Sequence, residues 1–133
     1  MNIGATGHAG EDAALEAYEK EGFELVTRNY QTRWGEIDLI VKNETDLVFA
    51  EVKTRTPQSS IRGAYAMSRA KKQKVFKTAL TYLQTFDLVR QPRFDVVDIL
   101  GHWTIWEGQE IFVADQVHII KGAFGSEVYD GFI

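Results

Sequence analysis

Two consecutive strand-like segments, separated by a polar turn over residues 43–46, are the feature that most restricts the fold. Alternate residues of a strand point to the same face of a sheet. In the second segment, residues 47–53, one face therefore carries Leu47, Phe49, Glu51 and Lys53. The pattern predicts a buried strand that ends in a carboxylate and an ammonium group on the same side.

The first segment, residues 35–41, places a second carboxylate close by. Its alternation predicts one apolar face and one mixed face, with Asp38 on the mixed one. The apolar face is expected to carry Ile37, Leu39 and Val41, and the opposite face Glu36, Asp38 and Ile40. Because a hairpin turn joins the segments, the carboxylates of Asp38 and Glu51 and the amine of Lys53 are expected together.

Two carboxylates on adjacent strands predict a metal site, because Mg²⁺ prefers hard oxygen ligands and keeps several waters. Asp38 and Glu51 are the candidate ligands, together with the backbone carbonyl of Val52. Lys53 would orient or deprotonate an attacking water and stabilise negative charge in the transition state. The structural alternative is a same-face ion pair between Glu51 and Lys53.

A first helix is predicted between Gly7 and Glu21, followed by Gly22 as a stop signal. Its stripe at i, i+3, i+4 and i+7 consists of Glu11, Ala14, Leu15 and Tyr18. Glu11 is interpreted first as a capping acid that suits the helix dipole. If the helix packs across the strand ends, Glu11 would instead join the metal site through a bound water.

A second helix is predicted from a cap at Ser68 to about Phe86. Its apolar stripe is formed by Val75, Ala79, Tyr82, Leu83 and Phe86. Cations in its first turn oppose the helix dipole, a conflict that an external phosphate would relieve. Projected backwards, the stripe reaches Lys71 and Lys72, so at least one of them should face the sheet.

The net charge of −4 conceals a basic region, because residues 52–86 contain no Asp or Glu. Its cations are Lys53, Arg55, Arg62, Arg69, Lys71, Lys72, Lys74 and Lys77. The two interpretations, a phosphate-binding face and a merely solvated helix face, carry equal weight on composition alone. The candidate nucleic-acid contacts are Arg55, Arg69, Lys71, Lys72 and Lys74.

The remaining pattern predicts strands at 23–29 and 93–100, then at 103–106 and 111–120 around a turn at Glu107-Gly108. Arg93 and Asp95 share a face of their strand and are expected to form a structural pair. The 133 residues suffice for one core, so a single domain over 1–133 is predicted, with 122–133 a peripheral tail. The fold class is α/β, a mixed sheet core flanked by helices.

Other features narrow the setting. The chain has no cysteine and its first residues form no apolar run, so we expect a cytoplasmic protein without a membrane segment. The histidines have no ligand spacing. Trp34, in a predicted loop, is expected to cover a local apolar patch rather than to stack on an unpaired base.

Taken together, these stretches resemble the YraN-type family of small bacterial proteins, which are similar to archaeal Holliday-junction resolvases and share the restriction-endonuclease-like fold. The stretches are Gly10-Glu11, Gly22-Phe23, Arg28-Asn29-Tyr30, Gly35 to Ile40, Phe49 to Arg55, the lysine-bearing helix, Arg93 to Val97, His118-Ile119 and Ala123-Phe124. The resemblance implies a nuclease-type site formed by Glu11, Asp38, Glu51 and Lys53.

Three hypotheses about function follow. The leading one is an endonuclease dependent on Mg²⁺ or Mn²⁺ that cuts nucleic acid, foremost branched DNA, and works as a homodimer if it cuts two strands symmetrically. The second is a nucleic-acid-binding or scaffold protein that keeps the fold without turnover. The third is a protein-interaction module, for which the acids and lysine would be dispersed in the structure.

Overall fold

The computed structural model describes residues 6–58, 67–87 and 89–128 of the chain. In chain order the elements are α1 (Thr6–Lys20), β1 (Glu24–Thr32), β2 (Gly35–Lys42), β3 (Asp46–Arg55), α2 (Arg69–Phe86), β4 (Gln91–Trp106), β5 (Gln109–Phe124) and a 3₁₀ turn (Ser126–Val128). Among the described residues, neither helix is long and apolar enough to cross a membrane.

The five strands form one mixed sheet in the order β1-β2-β3-β4-β5. The first three strands are antiparallel neighbours, β3 and β4 are parallel, and β4 and β5 form an antiparallel hairpin. The parallel pair needs a crossover connection, and α2 lies within it. The prediction of an α/β fold with a mixed sheet is confirmed, and the architecture is consistent with a restriction-endonuclease-like core.

Each face of the sheet is covered by one of these helices, so there are two apolar cores. Along β3 the side chains alternate between them: Leu47 and Phe49 pack beneath α2, whereas Val48 and Ala50 pack beneath α1. All four are fully buried. The predicted alternation of β3 is thereby confirmed, and it directs Glu51, two residues after Phe49, towards the α2 side.

In β2 the predicted alternation is wrong at one position. Leu39 and Val41 pack in the α1 core, but Ile37 packs with Ile40 in the α2 core. The irregularity lies beside Asn29 of β1, which has a positive φ of 51° and stands between the residues paired with Leu39 and Ile37. A residue in that left-handed conformation interrupts regular strand geometry.

The two strands predicted at 93–100 and 103–106 are one continuous strand, β4, which forms a long hairpin with β5. The turn at Glu107-Gly108 is confirmed, with φ values of 49° and 76° at its two residues. The extra length follows from pairing, because each residue of the outer part of β4 gains a partner on β5. Similarly, β1 extends to Thr32 and shortens the predicted loop before Gly35.

The prediction of a peripheral tail over 122–133 is wrong for its described part, residues 122–128. Phe124 belongs to β5 and its ring centroid lies 5.2 Å from that of Phe94. Val128, in the 3₁₀ turn, is also buried in the α2 core. Hydrophobic burial thus holds this segment against the sheet, and residues 129–133 lie outside the described residues.

A buried carboxylate joins α1 to β4 and β5. Asp95 is fully buried and accepts hydrogen bonds from the Tyr18 hydroxyl (2.7 Å), the Arg93 guanidinium (2.9 and 3.0 Å) and the Gly122 backbone N–H (3.0 Å). A buried charge is tolerated when it is paired and hydrogen-bonded in this way. The expected structural role of the Arg93–Asp95 pair is confirmed.

Removing the Tyr18 hydroxyl should therefore destabilise the fold, because the fully buried Asp95 would lose one of its donors. We expect Tyr18→Phe to lower the free energy of unfolding by about 1–3 kcal/mol, measured by urea denaturation. The matched control is Tyr82→Phe, since the contacts of that ring with Tyr30 and Phe49 are aromatic. Equal losses in the two variants would contradict the role given to the Asp95 network.

Candidate functional site

The predicted site residues come together at the polar end of β3. Glu51 is 2% exposed, and its Oε2 lies 4.0 Å from Nζ of Lys53 and 3.7 Å from Nζ of Lys71. Lys53 shares the strand face of Glu51, whereas Lys71 reaches it from the first turn of α2. The same-face ion pair between Glu51 and Lys53 is therefore present, within a larger charge cluster.

Asp38 is attached to this cluster through the backbone of the neighbouring strand. Its Oδ2 accepts a hydrogen bond of 2.8 Å from the backbone N–H of Val52. The bond forms where regular pairing of β2 and β3 has ended, at Leu39 and Ala50. It positions the Asp38 carboxylate beside Glu51, while a metal contact from the Val52 carbonyl stays a prediction.

Glu11 also faces the cluster, and the interpretation that it caps its helix is wrong. Helix α1 begins at Thr6, so Glu11 lies beyond the first turn, and it is 8% exposed. Burial raises the pKa of Glu11, and the nearby charge of Asp38 raises it further. The close packing of α1 on the sheet permits this position: a Cβ added to Gly10 would lie 2.5 Å from Cγ2 of Thr54 on β3.

Asn29 is a site residue for which the sequence analysis assigned no role. In the amide orientation that its surroundings favour, its nitrogen lies 2.9 Å from Oε1 of Glu36 and 3.1 Å from Oε2 of Glu11. Its backbone has the left-handed conformation that asparagine tolerates better than most residues. The amide thus connects two carboxylates from different elements.

Burial and mutual repulsion raise the pKa values of the carboxylates in the site. The pKa of Glu51 is raised to about 7, first by burial and then by the charge of Asp38, while Lys71 and Lys53 act in the opposite direction. Burial also raises the pKa of Asp38, against the hydrogen bond from Val52. A cation bound between these carboxylates would relieve both effects.

One carboxylate oxygen of the site has no hydrogen-bond donor among the described residues. This atom is Oε1 of Glu51, and it is buried. Asp38 and Glu51 supply oxygen ligands, and Mg²⁺ is commonly held by one or two carboxylates with several waters. Among the described residues no group of three or more His, Asp or Glu could hold a metal. The donor set present therefore fits a divalent ion that keeps water ligands.

The predicted basic residues of α2 do not all face the Glu51 site. Lys71 contacts Glu51, which resolves the choice that the sequence left open, whereas Lys72 lies 6.0 Å over the ring of Phe124. Arg69 donates to the backbone carbonyl of Glu127, at 3.4 Å, and Lys74 is exposed. The Ser68 side chain accepts from the Lys71 backbone N–H, as expected for the predicted cap.

Arg55 is bound within the sheet. Its guanidinium donates to both carboxylate oxygens of Asp98, at 3.0 to 3.3 Å, and both side chains are largely buried. This pair links the end of β3 to β4 and neutralises the charge that the sequence analysis assigned to nucleic acid. Arg62 lies outside the described residues. The site's positive charge is thus concentrated on Lys53 and Lys71.

Comparisons with known proteins give a family but no activity. The model of an uncharacterised protein family, UPF0102, matches residues 10–99. A UPF0102 protein of Desulfosudis oleivorans is 42% identical over 92% of this chain and 91% of its own length. One of Desulforapulum autotrophicum is 38% identical over 91% and 93%, and one of Neisseria gonorrhoeae 43% identical over 72% and 84%. The match includes all four predicted catalytic residues.

The raised pKa of Glu51 makes the stability of the metal-free protein depend on pH. The folded state binds the Glu51 proton more tightly than the unfolded state, so stability should fall as pH rises from about 4.5 to about 7. Glu51→Gln cannot titrate and should be more stable than the wild type at pH 8, by about 1–3 kcal/mol. Denaturation in EDTA across this pH range measures both.

The matched control is Glu110→Gln, the same exchange at an exposed position of β5. It should leave the pH profile of stability unchanged. A Glu51→Gln variant whose profile runs parallel to that of the wild type would contradict the titration assigned to Glu51.

Proposed function

The chain belongs to UPF0102, the YraN family, and we propose that it is a metal-dependent endonuclease that hydrolyses phosphodiester bonds in nucleic acid. The observation that carries the proposal is the buried Oε1 of Glu51, which has no hydrogen-bond partner in the part of the chain that the structure describes and lies beside a second carboxylate and two lysines. A charged carboxylate that is buried next to a second carboxylate destabilises the fold. Cation binding would offset this cost, and perturbed carboxylates of this kind are concentrated at functional sites.

The metal is proposed to be Mg²⁺ or Mn²⁺, held by Asp38 and Glu51 with the carbonyl of Val52. When bound, it would supply Lewis-acid stabilisation of charge on the phosphoryl oxygens. Glu11 would hold a water of the site in place, since its carboxylate is aligned by the amide of Asn29. These carboxylates belong to α1, β2 and β3, so the packing of three elements sets their spacing.

The two lysines give the chain its own contribution to the reaction. Lys53 projects from the strand that carries Glu51 and is proposed to orient or deprotonate the attacking water. Lys71 adds positive charge from the first turn of α2, where backbone N–H groups also favour an anion. Both lysines are in place before the phosphate binds, so little reorganisation is needed in the transition state.

The proposed substrate is DNA, and in particular branched DNA. Symmetric cutting of two strands would require a homodimer. Lys71 and Lys74 lie three residues apart on α2 and extend the positive charge away from Glu51. We expect these contacts to be sensitive to salt, because phosphate binding releases counterions. A cytoplasmic location is part of the same proposal.

One observation favours a second candidate, a nucleic-acid-binding protein without turnover. Asp38 Oδ2 already accepts a hydrogen bond from Val52, and Lys71 and Lys53 already lie close to Glu51 Oε2. The carboxylates would then be structural acceptors. Under this alternative, Lys71→Ala with Lys72→Ala weakens salt-sensitive binding, and no substrate is cut with either metal.

Cleavage tests the two candidates directly. With Mg²⁺ or Mn²⁺, we expect the wild type to cut branched DNA, and Glu51→Gln and Lys53→Ala each to lower the single-turnover rate by about 100-fold or more. Gel analysis of end-labelled junctions, flaps and linear duplex gives the rates. Asp38→Asn should cause a similar loss.

The matched control for the lysine variant is Lys20→Ala, since Lys20 lies on α1 in an exposed pair with Glu16. It should cut at the wild-type rate. Full activity in both Glu51→Gln and Lys53→Ala would mean that the cleavage does not come from this site.

Metal binding can be measured without any substrate. We expect Mn²⁺ to stabilise the wild-type fold by about 2.7 kcal/mol at a concentration 100-fold above its dissociation constant. Glu51→Gln should show little of this gain, because a ligand is missing. Denaturant unfolding with and without Mn²⁺ measures the difference, and Ca²⁺ serves as an oxygen-binding comparison. Equal stabilisation of Glu51→Gln and the wild type would contradict the metal assignment.

A further inference from the structure

A groove of about 480 Å³ lies beside the Glu51 site, between the β1–β2 turn and α2. Its lining consists of Gln31, Thr32, Arg33, Trp34, Gly35, Glu36, Lys71 and Lys74. Lys71 belongs to both places, since its Nζ lies 3.7 Å from Glu51. The groove therefore leads directly away from the carboxylates.

The turn that forms one wall of the groove is held against the helix. The Trp34 backbone N–H donates to the Thr32 hydroxyl (3.1 Å), and that hydroxyl lies 3.4 Å from the Thr78 hydroxyl on α2. Gly35 brings the chain close to the helix, because a Cβ at that position would lie 3.6 Å from Cβ of Lys74. The indole of Trp34 is thus presented from a supported turn.

The sequence predicted that Trp34 covers a local apolar patch, but among the described residues Trp34 belongs to neither apolar core. Its ring is partly exposed and contacts two cations: Nζ of Lys77 lies 3.6 Å, and Cζ of Arg33 4.5 Å, from the ring centroid. Such cation–π contacts are favourable and orient the ring. They also place positive charge around an aromatic face at the edge of the groove.

The charges of the lining favour an anionic ligand. Arg33, Lys71 and Lys74 are cations, and the acid among the lining residues is Glu36, whose Oε2 accepts from Gln31 (3.2 Å). A positive groove that contains an aromatic ring is the combination used for single strands, where phosphates follow the cations and bases stack. A site that binds only phosphate needs cations and not an indole ring, because the ring interacts with bases.

We propose that this groove binds an unpaired nucleotide of the strand that enters the active site, with its base stacked on Trp34 and its phosphates near Lys71 and Lys74. The inference rests on the proposed function and narrows its substrate class. A base within continuous duplex has both faces covered by its neighbours and could not stack on Trp34. Substrates with a flap, gap or open junction next to the cut would therefore be preferred over continuous duplex.

The test uses Trp34 as the reporter. The chain has three tryptophans, so the double variant Trp103→Phe/Trp106→Phe leaves Trp34 as the one fluorophore of this type. The variant is titrated in EDTA, which prevents metal-dependent cleavage, with a short single-stranded oligodeoxynucleotide and with its ribonucleotide equivalent. Blunt duplex of the same sequence and heparin, a polyanion without bases, are the comparisons.

We expect quenching by single strands and clearly less by blunt duplex or heparin. In a separate anisotropy titration, Trp34→Leu should weaken single-strand binding by about 5- to 100-fold, whereas Trp34→Phe, which keeps a stacking ring, should retain most of it. Trp106→Leu is the matched exchange on β4 and should bind as the wild type does. Circular dichroism identifies any variant that fails to fold, and the Phe variant then carries the test.

The result is independent of the cleavage assay. Base-dependent quenching without cleavage on any substrate would support the groove and contradict the proposed hydrolysis. Cleavage with unchanged single-strand binding in Trp34→Leu would support the hydrolysis and overturn the groove. Equal quenching by heparin and single strands would also overturn it, because only charge would then be recognised.

Discussion

The arrangement of the molecule depends on the strand β3, which is buried on both faces for half of its length and polar for the rest. Leu47 to Ala50 pack alternately into the two cores, and the strand pairs antiparallel with β2 on one side and parallel with β4 on the other. Because these residues are packed into both cores, the strand carries Glu51 and Lys53 to a defined position. Rigid elements of this kind support functional sites well.

The position of Glu51 has an energetic consequence. A buried carboxylate next to another carboxylate is disfavoured in its charged form, and the pKa of about 7 expresses that cost. Lys71 and Lys53 reduce the cost, but no described residue forms a hydrogen bond with Oε1. Cations in the first turn of α2 are unfavourable for the helix dipole. For Lys71 this cost is offset, because its ammonium group lies close to the carboxylate of Glu51. Stability is thus lower than it would be with an apolar residue here, as is common at functional sites.

Much of the site could be predicted because it depends on local periodicity. A two-residue period relates Glu51 to Lys53 and to the buried Phe49, and a short turn brings the Asp38 strand alongside. The period failed at Ile37, which packs on the α2 side. The left-handed residue at the same level, Asn29, lies on the neighbouring strand and leaves no mark in the alternation of β2. The only local signal was an asparagine, a residue that tolerates that conformation. The start of α1 was predicted to within one residue, but Glu11 was misread as a cap because only the packing of the helix on the sheet shows that its side chain faces Asp38.

The sequence by itself determined the secondary structure that surrounds the site, the two acids and the lysine that form it, and the family, since each depends on residue types and spacings along one or two neighbouring segments. The tertiary structure decided which cation of α2 approaches Glu51, that Arg55 is bound to Asp98, that Glu11 and Asn29 meet Glu36 and Asp38, and that Phe124 and Val128 belong to the core. These are contacts between elements distant in the chain. Their geometry follows from helix placement on the two faces of the sheet, which no local pattern records.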